Sequence, residues 1–278
     1  MTETKIGKLL KELTLFFGID EEKVLEKLEK ELFHLDSYVA ECWNNANPIS
    51  ASEIEEFYKK TDAYIYNLSV WNATYARRKW TDVIIDKLEE KKCIKVLDFG
   101  AGIGDDCIKL YNRGFRVDYC DLKGLTSDFA LWRFSRQGCA DDIKMCHDLN
   151  ELPVHYYDAI ICIDVLEHIA DPLIILEHFS KSLKPKGCLL LTESFSCVND
   201  DYPSHLRQNI KYAGKIHRIA AKYGLLCLSK TLEEKPLYFV KADKNIDFFL
   251  KLNTFIFNNY IELFKKGFGV LSRNLICY

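Results

Sequence analysis

The stretch Val96-Leu97-Asp98-Phe99-Gly100-Ala101-Gly102-Ile103-Gly104 decides the fold of this 278-residue chain. Its first four residues are typical of the end of a buried strand, and a helical pattern begins at Asp105 after three glycines at alternate positions. Glycine lets the backbone turn tightly and approach a ligand closely. The order strand, glycine-rich turn, helix therefore predicts a nucleotide-like ligand at one edge of a parallel sheet.

Acidic residues around the turn indicate which class of ligand it binds. Asp98 precedes the first glycine and Asp105 follows the last, so their carboxylates would repel the pyrophosphate of a dinucleotide and favour a ligand that carries positive charge. Asp121 ends the next strand-like run, at the distance from the glycines where an acid accepts hydrogen bonds from ribose hydroxyls. Asp118 lies on the same run, and side-chain alternation is expected to point it to the opposite face.

The rest of the chain predicts an α/β fold with a helical extension. Residues 1–90 show apolar residues at three- and four-residue steps and are interpreted as a helical region that forms a cap or pocket wall. Residues 91–278 alternate strands and helices, which predicts a doubly wound, mostly parallel sheet with a helical insertion near 242–268. The segment 184–187 is expected to be a turn, 237–240 is ambiguous, and 271–278 is expected to supply a final strand.

Composition limits the classes of partner. The formal net charge of -3 gives no reason to expect a nucleic acid. The eleven cysteines include no Cys-x-x-Cys pair, so zinc-ribbon and thioredoxin patterns are absent, and Cys120, Cys162 and Cys188 are interpreted as buried thiols. No apolar run reaches the length of about 20 residues that a membrane span needs. The expected location is the cytoplasm, without a membrane partner, and a homodimer is left open.

Several motifs in the same order resemble the class I S-adenosylmethionine-dependent methyltransferases. The resemblance covers roughly 91–196, where Asp98-x-Gly100-x-Gly102-x-Gly104 matches the first motif and Asp121 matches the ribose acid. His147-Asp148-Leu149 matches the adenine-contact position, and 157–169 and 183–187 resemble the fourth-strand motif and the turn before the fifth strand. In motif, the chain is nearest to small-molecule O-methyltransferases of the ubiquinone-biosynthesis type.

The resemblance implies a Rossmann-like sheet of seven strands that binds S-adenosyl-L-methionine and releases S-adenosyl-L-homocysteine. Because this cofactor carries an ammonium and a sulfonium but no phosphate, it also suits the carboxylates around the turn. Gly102→Val is expected to abolish cofactor binding without unfolding the chain. The residues expected to bind the cofactor are Asp98, Gly100, Ala101, Gly102, Asp105, Asp121, Leu122, Asp148, Leu149, Ile163 and Asp164.

Two histidines are candidates for the chemistry. His168 follows the fourth strand, and His205 lies in the segment after the fifth strand, where loops commonly close over a second substrate. Either could take a proton from the methyl acceptor, or could be a structural, hydrogen-bonded residue. In some relatives the matching positions Asp164, Glu167 and His168 hold a divalent metal, but no metal is predicted for this chain.

Aromatic residues and arginines of the N-terminal region could hold a planar or acidic acceptor, although packing of the aromatic residues on the sheet is favoured. This set is Tyr64, Tyr66, Trp71, Asn72, Tyr75, Arg77, Arg78 and Trp80. The predicted function is methyl transfer to an oxygen, less favourably a nitrogen, of a small molecule or a peptide side chain. The alternatives are a non-catalytic S-adenosylmethionine-binding scaffold subunit and, less favoured, a nicotinamide-dependent dehydrogenase.

Overall fold

The N-terminal region is helical in the computed structural model of the chain, which describes residues 5–32 and 37–243. Three of its helices begin at a hydroxyl side chain that accepts a hydrogen bond from a free backbone N–H: Ser37, Ser50 and Thr74. The helices are α1 (Lys5–Phe17), α2 (Glu21–Leu32), α3 (Tyr38–Ala46), α4 (Ala51–Lys60), α5 (Ala63–Ala73) and α6 (Tyr75–Glu90).

Strands and helices alternate from residue 95 onward, as the sequence predicts. The strands are β1 (Lys95–Phe99), β2 (Arg116–Cys120), β3 (Lys144–Cys146), β4 (Tyr157–Cys162), β5 (Leu183–Leu191), β6 (Leu225–Cys227) and β7 (Leu237–Lys241). The helices among them are α7 (Asp105–Asn112), α8 (Leu125–Gln137), α9 (Pro172–Ser182) and α10 (Ile216–Lys222).

The seven strands form a sheet in the order β3-β2-β1-β4-β5-β7-β6. β1 pairs with β2, β2 with β3, and β4 with β5 in parallel, while β7 runs antiparallel to both β5 and β6. This mostly parallel, seven-stranded sheet confirms the predicted fold class. None of the helices in the described part has both the length and the apolar character that crossing a membrane requires.

The chain divides into two compact units. Of the described residues, the first unit comprises those up to 152 together with Val198–Ser204, and the second comprises Pro153–Cys197 and residues 205–243. The first unit contains the N-terminal helices together with β1, β2 and β3. The separate roles of 1–90 and 91–278 stay a prediction.

Helices α1, α2 and α5 build a core against the segment that follows β1. Leu13, Val24 and Tyr66 are fully buried and belong to the same apolar cluster as Ile103 and Phe129. Burying a large apolar side chain contributes about 1.5–3 kcal/mol to folding. Hydrophobic burial therefore fixes the N-terminal helices beside the glycine-rich turn and α8.

The later strands differ from the expectation at 184–187 and resolve the ambiguity at 237–240. The segment 184–187, expected as a turn, lies within β5, whose pairing with β4 shifts register between Tyr157 and Ala159. The ambiguous run at 237–240 forms β7, which gains antiparallel partners on both sides. The expected final strand at 271–278 and most of the insertion at 242–268 lie outside the described residues.

Candidate active site

The turn after β1 has a backbone that favours glycine at three positions. Gly100, Gly102 and Gly104 have φ angles of 68°, 52° and 71°, in the left-handed region that L-residues rarely adopt. Gly104 directly precedes α7, whose first residue is Asp105. The structure therefore explains the glycine spacing by conformation, before any ligand is considered.

Close packing adds a second reason for glycine at this turn. A Cβ atom at Gly102 would lie 2.5 Å from Cδ1 of Leu68 in α5, and one at Gly104 would lie 2.6 Å from the ring of Phe134. The side chain of a Gly102→Val variant would thus meet α5 rather than only the space of a ligand. The expectation that this variant leaves the fold intact is therefore revised.

Asp121 connects the turn to the end of β2. Its Oδ2 accepts a hydrogen bond from the N–H of Gly102 at 2.7 Å, and its Oδ1 accepts one from the N–H of Leu122 at 2.7 Å. Burial raises the pKa of Asp121, and these two N–H groups act in the opposite direction. Each carboxylate oxygen retains a lone pair, so the group still has acceptor capacity for two hydroxyls.

Asp98 ends β1 as a buried carboxyl group. Burial, followed by the nearby charge of Asp106, raises the pKa of Asp98 to about 8. The Sγ of Cys107 donates a hydrogen bond to Oδ2 of Asp98 at 3.2 Å. A cation placed beside this group would favour its ionised form, which suits the expected ligand.

Asp105 is bound by cations of the protein itself. Its carboxylate lies 2.6 Å from Nζ of Lys109 and 3.2 Å from a guanidinium nitrogen of Arg133. Burial acts to raise the pKa of Asp105, but the two cations outweigh it and lower the pKa. This engagement gives Asp105 a structural role at the start of α7, while its contact with a cofactor stays a prediction.

The segment after β3 lies beside Asp121. Nδ1 of His147 is 2.8 Å from the carbonyl oxygen of Asp121, a contact that the sequence did not indicate. The side chain of Asp148 accepts a hydrogen bond from the N–H of Asn150 at 2.8 Å and so caps a short 3₁₀ helix at Leu149–Glu151. Leu149 is half-buried. The cofactor contacts of Asp148 and Leu149 stay predictions.

In the second unit, the residues after β4 have a constrained backbone. Asp164 has a φ of 53°, which is uncommon outside glycine and often marks a functional site. Thr192 stabilises this conformation, since its Oγ1 accepts from the N–H of Asp164 and donates to Oδ1 of Asp164, each at 2.8 Å. The sequence indicated Asp164 and the half-buried Ile163 but contained no signal for Thr192.

Glu167, His168 and His205 form a cluster in the second unit. One carboxylate oxygen and one ring nitrogen from each histidine lie within 4.8 Å of one another, and the ring centroids of the histidines are 4.7 Å apart. Glu167 is 1% exposed, and neither of its carboxylate oxygens has a hydrogen-bond partner in the described structure. Burial and the charge of Asp164 raise the pKa of Glu167 well above its usual value.

Hydrogen bonds fix the position of His205. Its Nδ1–H donates to the carbonyl oxygen of Cys197 at 2.6 Å, and the N–H of Leu206 donates to the carbonyl oxygen of Glu167 at 3.0 Å. Burial lowers the pKa of His205, so the neutral imidazole is favoured near pH 7. The structure thus brings together His168 and His205, which the sequence analysis treats as two separate candidates.

The cluster has a donor set of the kind that divalent metals accept, one carboxylate and two imidazoles. The grouped residues are Glu167, His168 and His205, whereas the family-matching set contained Asp164 instead of His205. The expectation that the chain uses no metal stays a prediction.

The aromatic and arginine set of the N-terminal region divides into packed and polar members. Tyr66 is fully buried and stacks on Phe17 with ring centroids 5.4 Å apart. The buried guanidinium of Arg77 forms an ion pair with Asp106. The hydroxyl of Tyr64 instead donates to Oγ of Ser204 at 2.6 Å. Packing therefore accounts for Tyr66, and ion pairing for Arg77.

Comparison with known proteins assigns the chain to a family. Residues 72–233, more than half of the chain, match the methyltransferase domain family. The tRNA 5-carboxymethoxyuridine methyltransferase of Escherichia coli K12 is 33% identical over 121 residues, which are 40% of this chain and 45% of that protein. A phosphoethanolamine N-methyltransferase of Triticum aestivum is 29% identical over 175 residues, covering 62% of this chain and 34% of that protein.

The chain is also similar to a third relative and to a solved structure. The ubiquinone biosynthesis O-methyltransferase of Neisseria meningitidis is 29% identical over 153 residues, covering 54% of this chain and 59% of that protein. The chain thus spans about a third to three fifths of these relatives' own lengths. A methyltransferase structure from Methanococcus maripaludis has a TM-score of 0.50 at 15% identity, covering 71% of this chain and 94% of that one, and supports the fold alone.

Proposed function

Because the chain belongs to the class I S-adenosylmethionine-dependent methyltransferase family, we propose that it transfers the cofactor's methyl group to an oxygen of a small molecule or a peptide side chain. A nitrogen acceptor is the less favoured form of this proposal. The observation that carries it is the cluster of Glu167, His168 and His205. A hydroxyl acceptor must lose a proton as it is methylated, and a neutral imidazole is suited to receive that proton.

The proposed cofactor site is centred on the glycine-rich turn. Gly100, Ala101 and Gly102 allow close approach of the ligand, and the carboxylate of Asp98 favours its positive charges. Asp121 would accept hydrogen bonds from the ribose hydroxyls. The further cofactor-binding residues that we propose are Asp105, Leu122, Asp148, Leu149, Ile163 and Asp164.

The two histidines have different proposed roles. His205 is the proposed base, because its Nδ1–H bond to the carbonyl of Cys197 orients the ring and burial favours the neutral form by lowering the pKa. His168 lies edge-on to it and is proposed to orient the acceptor. Methyl transfer from a sulfonium is an in-line displacement, and alignment of donor and acceptor can lower the barrier of such a reaction by about 7–11 kcal/mol. The chain's residues would supply that alignment and the path for the proton.

Activity is tested by incubating the protein with S-adenosylmethionine and a panel of acceptors, and measuring release of S-adenosylhomocysteine. The panel contains phenols, carboxylic acids, primary amines, a peptide library and bulk tRNA. We expect turnover with a hydroxyl or carboxylate acceptor. Turnover only with amines would move the acceptor atom to nitrogen, and turnover only with tRNA would overturn the small-molecule proposal.

Calorimetric titration of the protein with S-adenosylmethionine and with NADH distinguishes the alternative functions. Binding of S-adenosylmethionine without turnover of any acceptor would favour a non-catalytic scaffold subunit. Binding of NADH and not of S-adenosylmethionine would favour a dehydrogenase. We also propose that the N-terminal helices form one wall of the pocket for the methyl acceptor. A homodimer and a cytoplasmic location likewise stay proposals.

A further inference from the structure

Two cysteines end adjacent strands directly opposite each other. Cys120 is the last residue of β2 and Cys146 the last of β3, and the parallel register pairs them. Both are free thiols, 3% and 4% exposed, and a side-chain hydrogen bond joins them. The two sulfur atoms therefore lie side by side at the carboxyl ends of β2 and β3.

The backbone of the same two residues supports the proposed cofactor site. The carbonyl oxygen of Cys120 accepts hydrogen bonds from the N–H groups of Gly100 at 2.8 Å and Ala101 at 3.3 Å. The carbonyl oxygen of Cys146 accepts one from the N–H of Asp121 at 3.3 Å. A change in the spacing of these two cysteines would thus be transmitted to the glycine-rich turn and to the ribose acid.

The positions of Cys120 and Cys146 allow a disulfide bond that would be somewhat strained. Neighbouring strands lie about 4.8 Å apart, and disulfides join residues whose Cα atoms are about 4.4–6.8 Å apart. In-register residues project to the same face, so the two Cβ atoms point the same way. Hydrogen-bonded sulfur atoms must still approach to about 2.05 Å, which requires the strand ends to shift. Strained disulfides of this kind are easily reduced again.

Reactivity differs between the cysteines of the chain. The hydrogen bond from the thiol of Cys120 lowers the pKa of Cys146 to about 7. Burial raises the pKa of Cys107, Cys139 and Cys227 instead. The thiolate is the form that reacts with oxidants, so Cys146 is the favoured nucleophile among these four. Within residues 37–243, β3 is also an edge strand of the sheet, which shortens the path for a small oxidant.

We propose that Cys120 and Cys146 form a reversible disulfide whose formation weakens S-adenosylmethionine binding; the second part rests on the proposed cofactor site. The oxidant is a peroxide. The sulfur of Cys146 attacks one peroxide oxygen, the O–O bond breaks, and a sulfenic acid and water form. The sulfur of Cys120 then displaces the sulfenic oxygen, which leaves as a second water. Two thiols are oxidised and one hydrogen peroxide is reduced.

Mass spectrometry and calorimetry test the two parts separately. The full chain is treated with hydrogen peroxide, its remaining thiols are alkylated, and its peptides are mapped for a Cys120–Cys146 link. The Kd for S-adenosylhomocysteine is measured before oxidation, after it, and after reduction with dithiothreitol. We expect the linked peptide and an about tenfold rise in Kd that dithiothreitol reverses, since loss of one hydrogen bond to the ligand costs about 1.4 kcal/mol, a factor of about ten in Kd.

Variants show whether the effect comes from this pair. Cys120→Ala and Cys146→Ala, each compared with its own reduced form, should lose the response to peroxide. Cys227→Ala, which removes a buried free thiol in the second unit, should retain it. Absence of the linked peptide would overturn the disulfide, and an unchanged Kd in linked protein would overturn its effect on binding. If the reduced protein does not bind the ligand, the cofactor site is wrong, while the linked peptide still decides whether the disulfide forms.

Discussion

The carboxylate of Asp121 accepts a hydrogen bond from the backbone N–H of Gly102, with 2.7 Å between Oδ2 and N. The proposed ribose acid is therefore also a support of the glycine-rich turn. Binding of a ribose and the shape of the turn depend on the same group, so substitution of Asp121 should affect both.

Asp121→Asn should weaken S-adenosylhomocysteine binding by about tenfold to a hundredfold, since a hydrogen bond to a charged group contributes about 1.5–3 kcal/mol. The Kd is measured by calorimetry. Asp118→Asn on the same strand is the matched control: Asp118 is buried in an ion pair with Lys95, so its loss should lower stability and leave the Kd nearly unchanged. Equal losses of affinity in both variants would contradict the assignment of Asp121.

The pKa of Asp98, raised to about 8, predicts how the stability of the ligand-free protein depends on pH. The unfolded value is about 3.9, so the folded state holds this proton more tightly. The contribution of the proton is fully present below about pH 4 and is lost as the pH rises through about 8. Thermal unfolding from pH 5 to 9 should show this loss in the wild type, and Asp98→Asn should remove it. The same slope in both proteins would contradict the prediction.

Cofactor affinity should have the opposite dependence on pH. A cationic ligand favours the ionised carboxyl group of Asp98, so binding near pH 7 should release a proton, and the Kd should fall as the pH rises from 6 toward 8. Calorimetry in buffers of different ionisation enthalpy counts the protons released. The Asp98→Asn variant should release fewer protons on binding the ligand. Equal proton release by the variant and the wild type would contradict the assignment of Asp98 to the cofactor site.

His205→Gln should lower kcat by about 10²–10⁴-fold, the usual contribution of a general base, with cofactor affinity near the wild-type value. The amide of glutamine retains a donor in place of the ring N–H, which limits disturbance of the loop. The pH profile of kcat separates a general base from a structural residue, because loss of a base removes the limb of the profile that reports its titration. His178→Gln on α9 is the control and should leave kcat unchanged. If His205→Gln retains full turnover and the same pH profile, the residue is structural.

Gly102→Ala should destabilise the fold as well as weaken cofactor binding. A left-handed conformation costs about 1–2 kcal/mol for a residue with a Cβ atom, and Leu68 lies 2.5 Å from that atom's position. Adding Leu68→Ala should relieve the clash but not the backbone cost. Chemical denaturation of the two single variants and the double variant measures this coupling. Strictly additive free energies of unfolding would contradict the packing of Leu68 on the turn.

The sequence was sufficient for features that follow from local rules. Apolar runs that alternate with helical periods predicted the strands from β1 to β5, and the glycine spacing predicted the turn after β1. The pattern of acids around this turn led to the family that the comparisons confirm. Each of these signals lies within a few consecutive residues, where backbone preference and side-chain periodicity are the controlling factors.

Features that depend on tertiary contacts could not be predicted in the same way. The run at 237–240 is ambiguous as sequence, because the antiparallel pairing of β7 with both β5 and β6 depends on residues distant along the chain. Glu167 and His205 are separated by many residues, and the hydrogen bond between Leu206 and the carbonyl of Glu167 brings them together. The sequence also gave no sign that Lys109 and Arg133 engage Asp105.

The pairing of Phe99 with Cys120 limits where this chain can change in length. Because the carbonyl of Cys120 holds the first residues of the turn, a one-residue insertion within Arg116–Cys120 would shift Asp121 by a full position and turn its side chain to the other face. An insertion at Gly114, where added atoms would meet open space, leaves the pairing intact. Insertions and deletions among natural relatives should therefore collect before β2, near Gly114, and be absent from the strand itself.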